Sequence, residues 1–172
     1  GDLPGARAAY ERALGIDESV YGPDHPNVAT GVNNLGGVLQ DLGDLPGARA
    51  AYERALGIDE WVYGPEHPKV ATGANNLGSV LRAQGDLSGA RAAFERALGI
   101  VGKSLGEEHP YYASSLNNLG GVLQDLGDLP GGRAAYERAL EIFEACLPQG
   151  HPNIQIVRDN LQALEDSRTG SP

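Results

Sequence analysis

The chain repeats itself every 42 residues, and this repeat constrains its fold more than any other feature. Copies begin at residues 1, 43, 85 and 127, and the first two are identical at all but eight of their 42 positions. A fixed period between roughly 20 and 50 residues is typical of stacked arrays, in which each unit buries its apolar face against its neighbours. The sequence therefore predicts a single repeat array over residues 1–167.

Each copy has the pattern of two helices. In the second copy, Asp44 is placed to cap a first helix whose apolar face carries Ala48, Tyr52 and Leu56. The segment Gly64–Pro68 has the composition of a turn and precedes a second helix. The fold class is therefore predicted to be all-α, with no strands and with eight helices over residues 3–20, 27–42, 45–62, 69–84, 87–104, 110–126, 129–147 and 152–167.

The last helix departs from the repeat. Its apolar stripe includes Ile154 and Leu161, whereas its opposite face carries polar residues such as Arg158. A terminal repeat needs a polar outer face for solubility. Residues 152–167 are therefore predicted to form a C-terminal capping helix, and residues 168–172 a disordered tail.

The second helix of each copy has one apolar and one polar face. A helical projection of residues 27–42 places Val28, Val32 and Leu39 on one side and polar residues such as Asn33 on the other. A glycine follows Leu35 beside the apolar stripe, where it costs up to roughly 1 kcal/mol in helix propensity. We expect it to allow a close approach of two helices.

Net charge restricts the class of partner. The formal charge is −10 and the isoelectric point about 4.7. This balance disfavours nucleic acids and anionic membrane surfaces, and it favours a neutral or basic protein partner. No stretch approaches the roughly 18 apolar residues that cross a membrane.

The cysteine content and the first residue of the chain bear on the cellular compartment of the protein. The only cysteine, Cys146, follows an apolar helical stretch, is expected to be buried, and is compatible with a reducing, cytoplasmic compartment. The chain opens on Gly1 in mid-repeat and contains no Met, so we expect it to be a fragment of a longer protein. A missing targeting signal therefore carries little weight.

The repeated residues resemble the tetratricopeptide repeat, whose pattern is a Leu-Gly pair and a large residue on one helix, a glycine turn, and small and aromatic residues on the next. The pattern recurs in register three times and covers nearly the whole chain. Its first occurrence is Leu35-Gly36, Leu39, Gly43, Leu45, Ala48, Tyr52 and Ala55-Leu56. The ordinary repeat has about 34 residues. A repeat of 42 is similar to the subclass found in kinesin light chains, nephrocystin-like proteins and many bacterial arrays.

This resemblance implies a right-handed superhelical solenoid of antiparallel helix pairs. It also implies a concave peptide-binding groove lined by the helices that carry Leu-Gly. Asparagine has donor and acceptor groups that can pair with a peptide backbone, and the resemblance makes Asn33, Asn75 and Asn117 the first choices for ligand contact. The complete set of expected groove residues is Thr30, Asn33, Asn34, Gln40, Thr72, Asn75, Asn76, Ser79, Arg82, Ser114, Asn117, Asn118 and Gln124.

Two alternatives stay open for these asparagines. Asn34, Asn76 and Asn118 either contact ligand or bridge neighbouring helices, and any repeated Asn can instead belong to the scaffold by bonding to adjacent repeats. Positions that vary between copies are better candidates for specificity, and they include the Gln40, Arg82 and Gln124 series. The groove lacks a repeated Lys/Arg pattern, so a carboxylate clamp is not expected.

No residues have the spacing of a catalytic site. The sequence contains no phosphate-binding glycine loop, no nucleophile elbow and no zinc-ligand spacing, so no enzymatic activity, cofactor or metal is predicted. Each histidine precedes a proline, and neighbouring copies are about one repeat apart, which is too far to share one zinc ion. A role at the start of a helix is expected instead for His25, His67, His109 and His151.

Aromatic residues recur before the loop of each of the first two copies. Tyr21 and Tyr63 occupy this position, and Trp61 replaces Ser19 two residues earlier. Aromatic residues at helix ends are expected to pack against the next repeat, with partner contact by Trp61 as the alternative.

The function predicted from the sequence is therefore protein binding. We expect a scaffold that holds a peptide segment of a partner in the concave groove. The first alternative is a structural spacer that self-associates head to tail. The second is a sensor or regulatory array within a larger signalling ATPase.

Overall fold

The computed structural model describes residues 2–169, and within them it has eight helices and no strand. This confirms the predicted all-α fold class. The helices are α1 (Leu3–Tyr21), α2 (Pro26–Asp41), α3 (Leu45–Tyr63), α4 (Pro68–Ala83), α5 (Leu87–Ser104), α6 (Pro110–Asp125), α7 (Leu129–Cys146) and α8 (Pro152–Thr169).

The C-terminal boundary differs from the prediction. Helix α8 continues to Thr169, so residues 168 and 169, which were predicted to lie in a disordered tail, are helical. The amphipathic pattern ends at Leu164, and nothing such as a glycine or proline follows it at once to stop the helix. The remaining predicted tail, residues 170–172, lies outside the described residues.

The chain divides into two compact units, with the boundary between Asp86 and Leu87. Each unit contains two odd-numbered and two even-numbered helices. Within the first unit α1 packs on α2, α2 on α3, and α3 on α4, and the second unit repeats this order with α5 to α8. Short loops join the helices, so each neighbouring pair is an antiparallel helical hairpin.

Odd-numbered helices begin at an aspartate. The Asp44 side chain accepts a hydrogen bond from the Gly47 backbone N–H at 3.0 Å, and Asp2 and Asp128 cap α1 and α7 in the same way. Gly43, which precedes this cap, has a φ of 80°. That left-handed conformation is unstrained only for glycine and ends the preceding helix.

Even-numbered helices begin at a histidine. The Nδ1 atom of His67 accepts a hydrogen bond from the Lys69 backbone N–H at 3.2 Å. The same bond, at 3.1 to 3.2 Å, caps the helices that follow the other three histidines, His25, His109 and His151. The predicted role of the histidines at helix starts is confirmed.

A close contact between helices lies at a glycine and an aromatic ring. A Cβ atom added at Gly36 on α2 would lie 2.8 Å from Cε1 of Tyr52 on α3, and Gly120 and Tyr136 repeat this contact in the second unit. Tyr52 is only 4% exposed, so its ring has no room to withdraw. The expected close helix approach at this glycine is confirmed.

Two expectations about single residues are wrong. Cys146 is exposed rather than buried, because it is the last residue of α7, and its thiol donates to the Glu108 carbonyl at 3.2 Å. Trp61 does not pack on a neighbouring repeat, and its side chain is 83% exposed. It lies one helical turn after Gly57 and two after Arg54, which are both exposed, so this face of α3 is solvated.

We predict that Gly36→Ala destabilises the protein by about 1–3 kcal/mol, because the new methyl group overpacks the contact with Tyr52. Thermal or chemical unfolding followed by circular dichroism measures this change. Gly57→Ala is the matched control, because no atom lies within 4 Å of its added Cβ. It should stabilise the helix by about 0.5–1 kcal/mol. Equal effects of the two substitutions would contradict the close-contact interpretation.

We also predict that His67→Ala lowers the free energy of unfolding by about 1 kcal/mol, because it removes the acceptor for the first turn of α4. His67→Asn should recover most of this loss, since asparagine is among the best N-cap residues. Both variants also lose the stacking of His67 on Tyr63, whose ring centroids are 4.6 Å apart. The difference between their free energies of unfolding therefore measures the contribution of the N-cap hydrogen bond. An asparagine variant as unstable as the alanine variant would disprove the capping role.

Candidate functional site

The first unit has a concave pocket between its two even-numbered helices. Its volume is about 190 Å³. Helices α2 and α4 supply its sides, and Asp59 of α3 is its only residue from an odd-numbered helix. The lining residues are Ala29, Thr30, Asn33, Asp59, Lys69, Thr72 and Gly73. We call this the first pocket.

The second unit has a pocket at the equivalent place. Its volume is about 180 Å³, helices α6 and α8 supply its sides, and Phe143 of α7 takes the place of Asp59. The lining residues are Ser114, Asn117, Asn118, Phe143, Asn153, Ile156 and Val157. Five of these lie exactly two repeat periods, or 84 residues, after Thr30, Asn33, Asp59, Lys69 and Thr72. We call this the second pocket.

Paired asparagines connect the two sides of each pocket. In the first unit, the Asn76 side-chain N–H donates to Oδ1 of Asn33 at 2.8 Å. In the second, Asn160 donates to Oδ1 of Asn117 at 2.9 Å. Asn33 and Asn117 are half-buried and also line the pockets. Of the two alternatives for Asn76, the structure has the bridge between neighbouring helices.

The third asparagine of the first-choice set lies differently. Asn75 is only 8% exposed, so the expectation that its side chain lines an open groove is wrong. The helical projection placed it on the polar side of α4, but a projection of one helix carries no information about the burial of its residues. Asn34, which follows Asn33 in the chain, is exposed, and Asn118, which follows Asn117, lines the second pocket.

The expected hydroxyl residues line the pockets but are bonded within their own helices. Thr30, Thr72 and Ser114 each donate to the carbonyl of the proline four residues earlier, at 3.1 to 3.3 Å. This back-bonding is common for Ser and Thr in helices. They therefore contribute shape to the pockets, with their hydrogen atoms already donated.

The remaining expected residues line neither pocket. Tyrosine hydroxyls from the following helices donate to Oε1 of Gln40 and of Gln124, each at 3.3 Å. The Gln40 amide also donates to Oγ of Ser79 at 3.2 Å. Ser79 and Arg82 are exposed on α4. These glutamines are thus part of the packing between helices as well as of the polar face.

Several pocket residues were missed by the sequence analysis. Asp59 and Phe143 come from odd-numbered helices, which were expected to contribute only core and solvated faces. Lys69, Asn153 and Ile156 lie within the first turns of even-numbered helices, beside the capping histidines. One signal was available: residues 17, 59, 101 and 143 occupy the same repeat position and read Asp, Asp, Val and Phe.

Asp59 and Lys69 set the electrostatics of the first pocket. Burial raises the pKa of the half-buried Asp59 carboxyl, because the charged form loses hydration, and electrostatic interactions with Lys69 and His67 lower it by less. The Lys69 ammonium donates to the Tyr63 hydroxyl at 3.1 Å and lies 4.7 Å from the centre of that ring. The Lys69 ammonium group is thus positioned by the Tyr63 side chain.

Residues 2–169 contain no cluster of three or more His, Cys, Asp or Glu side chains arranged to hold a metal ion. No helix in this part of the chain combines the length and the apolar character needed to cross a membrane.

The sequence pattern of the tetratricopeptide repeat matches residues 1–60, 29–103 and 71–145. The chain belongs to the tetratricopeptide repeat family. Tetratricopeptide repeats generally mediate protein–protein interactions, and proteins built from them are typically non-enzymatic scaffolds. No curated protein sequence matches this member of the family.

Solved structures with the same fold include other tetratricopeptide repeat proteins. BtubC (BKLC) from P. vanneervenii is 22% identical, with a TM-score of 0.78, and the match covers 100% of this chain and 76% of that one. A kinesin light chain-like protein from Podosopora anserina with nearly identical TPR-like repeats is 20% identical, with a TM-score of 0.76, over 99% and 90% of the two chains.

The apo form of RapI is also similar. It is 21% identical, with a TM-score of 0.83, and the match covers 98% of this chain and 59% of RapI. At these identities the similarity concerns the fold. The predicted membership of the tetratricopeptide repeat family is confirmed by the family match, and the kinesin light chain-like protein shares the fold of this chain.

The asparagine bridge can be measured by a double-mutant cycle. We predict that Asn33→Ala and Asn76→Ala each destabilise the protein and that their coupling energy is about 1 kcal/mol, the typical value of one hydrogen bond. The cycle Asn34→Ala with Asn76→Ala is the control, because Asn34 is exposed and is not the acceptor for Asn76. Additive effects of Asn33→Ala and Asn76→Ala would refute the bridge.

Proposed function

We propose that this tetratricopeptide protein binds a peptide segment of a protein partner along its even-numbered helices. The observation that carries the proposal is the recurrence of one pocket in both units, at the same repeat positions and with similar volumes of about 190 and 180 Å³. A solenoid repeats its scaffold, and a repeated concave surface is what such proteins use to bind partners.

The chemistry of the pockets suits a peptide. Each pocket has an asparagine whose Oδ1 is already bonded, Asn33 or Asn117, so its side chain is held in place before a ligand arrives. Asn118 adds a further amide to the second pocket. Amide groups pair with the donors and acceptors of a peptide backbone, and the pockets between them accept side chains. Fixed side chains lower the entropic cost of binding.

Net charge indicates the class of partner, and the free thiol indicates the compartment in which this protein resides. A net charge of −10 favours a neutral or basic protein partner over nucleic acid or an anionic membrane. An exposed free thiol at Cys146 is compatible with the reducing environment of the cytoplasm, where we place the protein. We also propose that residues 1–167 act as one array, because the repeat period continues unbroken through residue 85.

Head-to-tail self-association has less support. A second copy would have to seat an odd-numbered helix against α8, as α3 is seated on α2. However, Gln162 of α8 takes the repeat position of Gly36 and Gly120, where even a methyl group would lie 2.8 Å from the partner tyrosine. Arg158 and Glu165 are also exposed polar residues at positions of leucines in α6. This face of α8 is that of a cap.

Blocking the pockets tests peptide binding. We predict that Thr72→Trp and Ile156→Trp, which each place a large side chain in one pocket, weaken binding to peptides selected from a random display library. At least one of the two should reduce affinity by about tenfold, equivalent to about 1.4 kcal/mol. Isothermal titration calorimetry measures the affinity of each purified variant.

Ala50→Trp is the matched control for these variants. It adds the same side chain at an exposed position of α3 that lines neither pocket. It should bind selected peptides like the unmodified protein. If no peptides are selected, or if all three variants bind equally well, the proposed function is wrong. Concentration-dependent growth in light scattering would then favour self-association.

A further inference from the structure

The two pockets differ most at their single residue from an odd-numbered helix. Asp59 supplies a carboxylate to the first pocket, and Phe143 supplies an aromatic ring at the same repeat position of the second. The adjoining wall also becomes more apolar in the second pocket, because Ile156 takes the repeat position that Thr72 has in the first. One scaffold therefore presents two chemically distinct pockets.

Within residues 2–169, Lys69 and His67 act on the Asp59 carboxylate through electrostatic interaction alone. It makes no hydrogen bond and no salt bridge there, although it is half-buried. The nearby cation, Lys69, donates instead to the Tyr63 hydroxyl and lies over its ring. The neighbouring Thr30 and Thr72 hydroxyls donate within their own helices. The pocket thus contains a partly desolvated anion whose loss of hydration is offset only in part by Lys69.

A cationic guest would remove this imbalance. The shift in the pKa of Asp59 comes mainly from lost hydration, and the charge of Lys69 offsets only part of it. A guanidinium or ammonium group entering the pocket would form a charge-assisted hydrogen bond with the carboxylate, which is stronger than a neutral one. Partial burial also protects the pair from screening by salt.

We propose that the first pocket is a subsite for a lysine or arginine side chain of the partner peptide, with Asp59 as its anionic acceptor. This inference rests on the proposed function, and it names the chemistry of the segment that is bound. The second pocket has no carboxylate among its lining residues, so it imposes no requirement for a basic residue. The excess of negative charge over the whole chain brings a basic segment toward the protein.

The test compares selections from a random linear peptide library by the unmodified protein and by Asp59→Asn. The unmodified protein should enrich Lys or Arg at one peptide position, and Asp59→Asn should lose that enrichment. A selected peptide should bind Asp59→Asn about tenfold more weakly, as expected for the loss of a hydrogen bond to a charged group. Replacing the basic residue of this peptide by glutamine should reduce the affinity by the same factor. The glutamine peptide should bind Asp59→Asn with no further loss of affinity.

Asp17→Asn is the matched control. Asp17 has the same repeat position and the same half-buried environment on α1, but it lines neither pocket. The substitution makes the same change in net charge, so a general electrostatic effect would weaken binding equally in both variants. That result would overturn the proposal. We expect Asp59→Asn to remain folded, because it neutralises a desolvated carboxylate, and thermal unfolding checks this.

The outcomes separate this inference from the proposed function. Peptides that lose affinity with Thr72→Trp or Ile156→Trp but bind Asp59→Asn normally would keep the peptide-binding site and refute the basic subsite. A selection without enrichment of Lys or Arg would do the same. Failure to select any peptide would refute both.

Discussion

Contact between a glycine on an even-numbered helix and an aromatic ring on the next odd-numbered helix sets the distance between the two. At Gly36 a single added carbon would lie 2.8 Å from the ring of Tyr52. Such contacts leave almost no freedom, since protein interiors are packed as densely as organic crystals. The contact recurs at Gly120 and Tyr136, so the same close contact constrains the helices in both units.

The pockets depend on this separation. Because α3 packs against both α2 and α4, its residue 59 lines the pocket between those two helices. The bond between Asn33 and Asn76 then spans the same gap at 2.8 Å. A wider spacing between α2 and α4 would break that bond, and a narrower spacing would close the pocket. The scaffold contacts and the binding surface are therefore parts of one packing arrangement.

Local features of this fold could be predicted from the sequence, and contacts between helices could not. Helix ends follow from nearest neighbours in the chain, such as Asp44 with Gly47 or His67 with Lys69, and these predictions were confirmed. The burial of Asn75 is a property of the folded chain, so a projection of its own helix could not reveal it. Asp59 was missed for a related reason, because it faces a pocket formed by two other helices. Its variation to Phe143 between otherwise similar copies was the available signal.

Near-identity between copies makes their differences informative. Residues that hold the fold, including the aspartate and histidine caps and the glycine turn, recur in the copies without change, because any alteration would disturb every contact that the repeat makes. A residue such as Asp59 reaches the concave surface without contributing to a cap or to the contact between glycine and aromatic ring. At the same repeat position Phe143 is only 2% exposed and belongs to the core of the second unit, so this change alters both the wall of the pocket and the packing beneath it. In a repeat protein of this kind, specificity is expected to reside in such positions, where the exposed surface of a pocket varies on a constant frame.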